Sequence, residues 1–169
     1  MKKIFSKILI CLMTVLTVLG LSSCKATLVP SVVFGFKTVD GAGEYNESID
    51  AFEVGKVFYT CIKIKLVTDK QAQKPYVVVV ELPKTSDVTC DQTGGLRPTS
   101  SEWDAAAQKT VLSFVIYGSK EASEQKILFK GTPVAEGNAV LSLDIYDEKG
   151  VEECSGFFRT IFFKYELQQ

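Results

Sequence analysis

At 169 residues, 46% apolar and 23% charged, the chain has the make-up of one domain with a real hydrophobic core rather than a disordered polymer. The formal charge is −1, but Lys2, Lys3 and Lys7 fall in the first 23 residues with no carboxylate among them, so the remainder carries −4. A mildly acidic body offers no broad basic field, which argues against nucleic acid as a partner and against general attraction to anionic lipid headgroups. Histidine is absent, which removes Ser-His-Asp and Cys-His hydrolases and His-based zinc sites while leaving carboxylate-pair, Ser-Lys and oxygen-ligand calcium chemistry open.

Residues 1–7 form a basic start, and residues 8–21 follow as an uncharged apolar run. This is the n-region and h-region pattern of a secretory signal. A spanning helix needs about 20 apolar residues, so an uncleaved transmembrane anchor is the weaker reading.

The run ends in Leu21-Ser22-Ser23-Cys24. An aliphatic residue, two small residues and a cysteine in this place resemble the lipobox of bacterial lipoproteins. The resemblance covers the first 24 residues. It implies that residues 1–23 are a cleaved signal peptide, that Cys24 takes a diacylglyceryl group on its thiol and then an acyl chain such as palmitate on its new amine, and that the protein is lipid-anchored in the bacterial cell envelope. The alternative is an ordinary secretory cut beside a coincidental cysteine. Residues 24–30 would then be a short tether reaching at most about 20 Å, so the membrane is an expected partner through Cys24. Lys25 does not decide which membrane or leaflet.

Residues 31–169 are expected to form one domain. Short β-branched or aromatic runs bounded by Gly, Pro, Asp, Asn or Ser recur about eight times. The first covers 31–39, with Val32, Phe34 and Phe36 on one parity. The second covers 56–67 and sets Phe58, Ile62, Ile64 and Leu66 opposite Lys63 and Lys65, the alternation of a half-buried antiparallel strand. Residues 76–82 are nearly all apolar, suggesting a central strand stopped by Pro83. Residues 85–90 are weaker, and 110–117, 125–130 and 139–146 alternate again. The last run, 157–167, carries Phe157, Ile161 and Phe163 on one face with Phe158 and Phe162 on the other. Burial on both faces, as in a central strand, is the expectation; joint exposure of Phe158 and Phe162 would point instead to a protein interface.

No helical period extends beyond about two turns, so βαβ units are absent and an antiparallel two-sheet β-sandwich is expected. The segment Phe52-Glu53-Val54-Gly55-Lys56 through the strand at Tyr76, with Ile145-Tyr146-Asp147 near the end, resembles immunoglobulin-like or fibronectin-type-III-like modules of bacterial surface proteins over roughly 130 residues. The Cys-Trp-Cys set of antibody domains is missing. A lipocalin-like or other small barrel is the alternative fold.

Three of the five cysteines, Cys61, Cys90 and Cys154, fall within the domain. In an exported protein one disulfide is expected, with Cys90–Cys154 the favoured pair. Residues 91–108 are the longest connection. Ser101 and Asp104 match a capping box opening a short helix through Ala105–Ala107. Arg97, Trp103 and Asp104 are the candidate binding residues of this loop, for a small ligand, a glycan or an envelope protein; the favoured, blander reading has Trp103 folded over one end of the core. Asp144, Asp147, Glu148, Glu152 and Glu153 surround a Lys149-Gly150 turn but lack EF-hand spacing, so no metal site is assigned. No cofactor motif or catalytic set emerges, and the expectation is a noncatalytic binding or structural module.

Overall fold

The computed structural model describes residues 28–38, 43–83, 86–90 and 95–166, with the side chains of 83–90 set aside. The leader, Cys24 and most of the tether therefore lie outside the described residues. Among the described residues ten strands form two sheets. A four-stranded sheet runs in the order β1 (Val29–Lys37), β3 (Phe58–Val67), β8 (Gln125–Pro133), β5 (Ser86–Cys90). A six-stranded sheet runs β2 (Ala51–Glu53), β10 (Glu152–Lys164), β9 (Gly137–Asp147), β4 (Lys74–Pro83), β7 (Lys109–Gly118), β6 (Ser100–Asp104).

The pleat explains the division of each strand. In β3, Ile62, Ile64 and Leu66 are fully buried while Lys63 and Lys65 turn away from them, the period-2 pattern of a strand with one wet face. β4 sits between β9 and β7 and buries Tyr76, Val78, Val80 and Leu82, as its apolar sequence led us to expect. The core lies between the sheets. Phe114 of β7 meets Phe129 of β8 edge-on, with centroids 6.3 Å apart. At the other side Phe52 stacks on Phe58 at 4.5 Å and tilts against Phe36 at 5.5 Å, while Phe58 meets Phe163 at 6.1 Å. These ten strands and these core side chains fall between Val29 and Lys164.

Four expectations are corrected. Residues 100–104 are strand β6, not a helix start: Asp104 Oδ1 accepts hydrogen bonds from the backbone N–H of Ala106 and Ala107, both at 2.9 Å, and closes a tight turn into β7. Helix formation loses because Ser100–Asp104 can pair with Lys109–Ser113 along an otherwise open edge. With β6 inside it, the stretch 91–108 is not one connection. The sheets are not wholly antiparallel, since β2 pairs in parallel with Phe162–Lys164 of β10. Finally, Cys154 is a free thiol on β10 whereas Cys90 is on β5 of the other sheet, so the Cys90–Cys154 disulfide is not formed.

Cys61 is a second free thiol. Thiol titration of the denatured, unreduced body from Lys25 onward should therefore find three thiols. A count of one would restore a disulfide.

Gly118 marks the corner where the sheets approach. Ser119 N donates to Leu66 O at 3.2 Å and Thr68 N to Ser119 O at 3.1 Å, drawing the ends of β7 and β3 together. A Cβ on Gly118 would stand 2.8 Å from Tyr76 Cε2 and 3.0 Å from the Leu66 carbonyl oxygen. Gly118→Ala should destabilise the fold by about 1–3 kcal/mol, read by denaturant unfolding, because backbone has to yield. An unchanged midpoint would mean that the corner is looser than its distances indicate.

Candidate functional site

The two sheets turn opposite faces to solvent, and the residues on those faces differ in kind. On the six-stranded sheet, pairing places Phe158 opposite Ser142, Thr160 opposite Val140, and Phe162 opposite Asn138. Phe158, Val140 and Phe162 are 65%, 48% and 39% exposed, so three apolar side chains form a short strip across β10 and β9. The neighbouring face is partly polar: Ser142 Oγ donates to Glu81 Oε2 at 3.0 Å, and Glu81 pairs with Lys109, a chain running across β9, β4 and β7. Phe158 and Phe162 are thus exposed together, against the expectation that both faces of this strand are buried. The strand is apolar on both parities because Ile161 and Phe163 fill the core while the alternate phenylalanines do not.

The loop residues singled out by sequence do not converge. Leu96 N donates to Lys126 O at 2.8 Å, which holds the segment around Arg97 against the edge of β8. Thr99 N then donates to Ser113 O at 2.7 Å, and the chain enters β6 of the other sheet. Trp103 pairs with Thr110 and is 53% exposed, since β6 is the outer edge of its sheet. It does not plug the core. Asp104 spends its carboxylate on the following turn.

The acidic hairpin between β9 and β10 is likewise accounted for locally. Asp147 Oδ1 accepts from Lys149 N at 2.8 Å and Val151 N at 2.9 Å, and the Val151 bond leads in holding this carboxyl below the usual carboxylate range. Gly150 takes the positive φ of 77° that the turn requires. Asp144 Oδ1 accepts from Gly156 N at 3.1 Å, next to the irregular pairing of β10 between Cys154 and Phe157. Among the described residues no group of three or more His, Cys, Asp or Glu is arranged to hold a metal ion.

The four-stranded sheet carries the feature that composition concealed. Its outer face bears a groove of about 490 Å³ lined by Glu44, Tyr45, Cys61, Lys63, Lys126 and Leu128. Tyr45 lies over Gly35, whose added Cβ would come within 2.9 Å of the Tyr45 Cβ, so only glycine lets the tyrosine cover the strand this closely. Under that cover Cys61 is 1% exposed even though it shares the outward parity of Lys63. Burial pushes its thiol pKa up, against the pull of Lys126 and Lys63, and leaves it a poor nucleophile. Cys154 is pushed up by burial as well, with Glu153 and Glu152 adding to it. Neither thiol is activated.

Among the described residues no helix is long and apolar enough to cross a membrane. No protein-family model matches the chain, and no curated protein matches it. The solved structures that match include the N-terminal domain of PorA, which aligns over 79% of this chain and 97% of that one at 16% identity with a TM-score of 0.30. A likeness of that size leaves the strands and side chains described above as the ground for any reading of this protein.

Proposed function

We propose that the chain is a membrane-anchored lipoprotein of the bacterial cell envelope, acting as a noncatalytic binding module with an immunoglobulin-like body. The observation that carries the reading is the order of the sequence: a basic start, an uncharged run, Leu21-Ser22-Ser23-Cys24, and then a strand that begins at Val29. An all-β body held by a tether of a few residues suits presentation close to a membrane. The immunoglobulin-like assignment draws support from the two facing sheets and from neighbours distant in sequence, such as β3 beside β8 and β4 beside β9. The test is mass spectrometry of the mature protein with metabolic acyl labelling. A mature chain beginning at acylated Cys24 is expected; one that begins at Met1, or carries a bare Cys24, overturns the anchor.

For the binding step, the strip of Phe158, Val140 and Phe162 favours an envelope protein as partner, because exposed aromatic side chains on a rigid sheet give large contact area at small entropic cost. A photo-crosslinker at Thr160, opposite Val140, should yield an adduct in the envelope that Phe158→Asp with Phe162→Asp abolishes. Equal adducts from the double variant would sink this assignment. The second reading, a glycan-binding protein using residues 91–108, draws on the exposed Trp103 alone. Its expected sign is a shift of the tryptophan emission on titration with envelope oligosaccharides.

A further inference from the structure

The outer face of the four-stranded sheet gathers lysines. The register that buries Ile62, Ile64, Ile127 and Phe129 sends Lys63 and Lys65 of β3 and Lys126 and Lys130 of β8 to the opposite side. Lys37 of β1 joins them, its Nζ 4.9 Å from the Tyr45 ring centroid and 5.3 Å from that of Tyr59. Lys63 and Lys126 are directly paired across the strands, an arrangement of like charges that works against folding. Carboxylate residues at this face include Glu44, in the groove, Glu124, 3.9 Å from Lys126, and Asp87 of β5, which the register sets opposite Thr132 on the same face.

A body with a net charge of −4 that keeps five lysines on one sheet face must hold its acids elsewhere. A cluster of them is found at the β9–β10 hairpin of the other sheet, where Asp147, Glu148, Glu152 and Glu153 gather. The separation is a charge dipole. In front of an anionic plane such a molecule turns its lysine face inward and its acidic hairpin away.

We propose that this lysine face is a docking surface for an anionic phospholipid bilayer, laying the four-stranded sheet flat on the membrane. The proposal rests on the lipoprotein reading, since the tether selects the occupant. From Cys24 to Val29 the chain spans at most about 18 Å, and β1 is the edge strand of the lysine-bearing sheet. A sheet of four strands is roughly 15 Å wide, so an anchor at its edge lets the whole face reach the headgroups. The same orientation leaves the strip of Phe158, Val140 and Phe162 pointing away from the bilayer, open to a partner.

The body from Lys25 onward, without leader or acyl chains, is the sample for the test. Cosedimentation with phosphatidylcholine vesicles doped with phosphatidylglycerol should exceed that with phosphatidylcholine alone and should fade as salt is raised. Lys63→Gln with Lys126→Gln should weaken it by roughly tenfold or more, at about fivefold per lysine near a charged surface. Lys149→Gln, at the acidic hairpin, should leave it unchanged. Equal binding to both vesicles, or equal loss in the Lys149 variant, overturns the proposal. So does saturable binding of inorganic phosphate or of a soluble polyanion without vesicle affinity, which would make the face a site for that ligand. Failure here with Cys24 acylated refutes the docking alone; vesicle binding with Cys24 unmodified refutes the anchor alone.

Discussion

Cys24→Ala is expected to remove all acyl labelling, and chains of this variant that are freed of the leader should pass from the detergent phase into water. The size of the change follows from the area of hydrocarbon involved. Each buried methylene contributes about 0.8 kcal/mol, yet a single fourteen-carbon chain holds a protein only marginally, with a constant near 10⁴ M⁻¹. Adding a second or third chain makes attachment effectively permanent, so losing all of them shifts partitioning by roughly a thousandfold or more. No electrostatic contact on the body matches that. The lysine face orients a molecule that acyl chains hold, and a Cys24→Ser variant should behave like the alanine one because a hydroxyl is not the thiol that is modified. A labelled and membrane-held Cys24→Ala chain would mean that another residue takes the lipid or that the leader itself is retained.

The faces that matter for these ideas were legible in the sequence to different degrees. β3 could be read directly, because its alternation of isoleucine and lysine is the pleat written in residues. β4 could be read from its unbroken valines, because a strand paired on both edges whose alternate side chains are buried or half-buried has little use for polar residues on either face. β6 could not. Ser100–Asp104 is exposed along nearly its whole length, so no apolar alternation marks it, and the Ser101 and Asp104 pair imitates a helix cap. β2 has three residues, too few for any period, and its parallel pairing with β10 depends on where the chain returns. The lysine face is a tertiary fact of the same kind. Lys63 and Lys65 announce a wet face on β3, but nothing local says that Lys126 will stand opposite Lys63, and a net charge of −4 points the other way. Phe158 and Phe162 were ambiguous for a related reason: a strand apolar on both parities is central in one fold and half-exposed in another, and the exposure of the pair decides it.

Phe52→Ala should be the most damaging single change in the body. Phe52 is the one fully buried side chain of β2 and lies between Phe36 and Phe58, 1% exposed. Truncation removes a stacked pair and a tilted pair and leaves a hole where two sheets and the shortest strand meet, a loss of about 3–5 kcal/mol. Net stabilities are only about 5–15 kcal/mol, so the melting temperature should fall by roughly 10–20 °C. β2 should be the first element to go, because without Phe52 it is held by its short parallel pairing with Phe162–Lys164 and by the backbone bonds of Val54 and Gly55 just after it. Hydrogen exchange would then report the amide of Phe162, which donates to Asp50 O at 2.7 Å, as deprotected ahead of the β4 and β7 amides. Phe158→Ala, on the outer face of β10, should change stability by no more than about 0.5 kcal/mol. If the two substitutions prove equally costly, the division of β10 into a core-facing and a solvent-facing set of phenylalanines is wrong, and with it the strip offered to a partner.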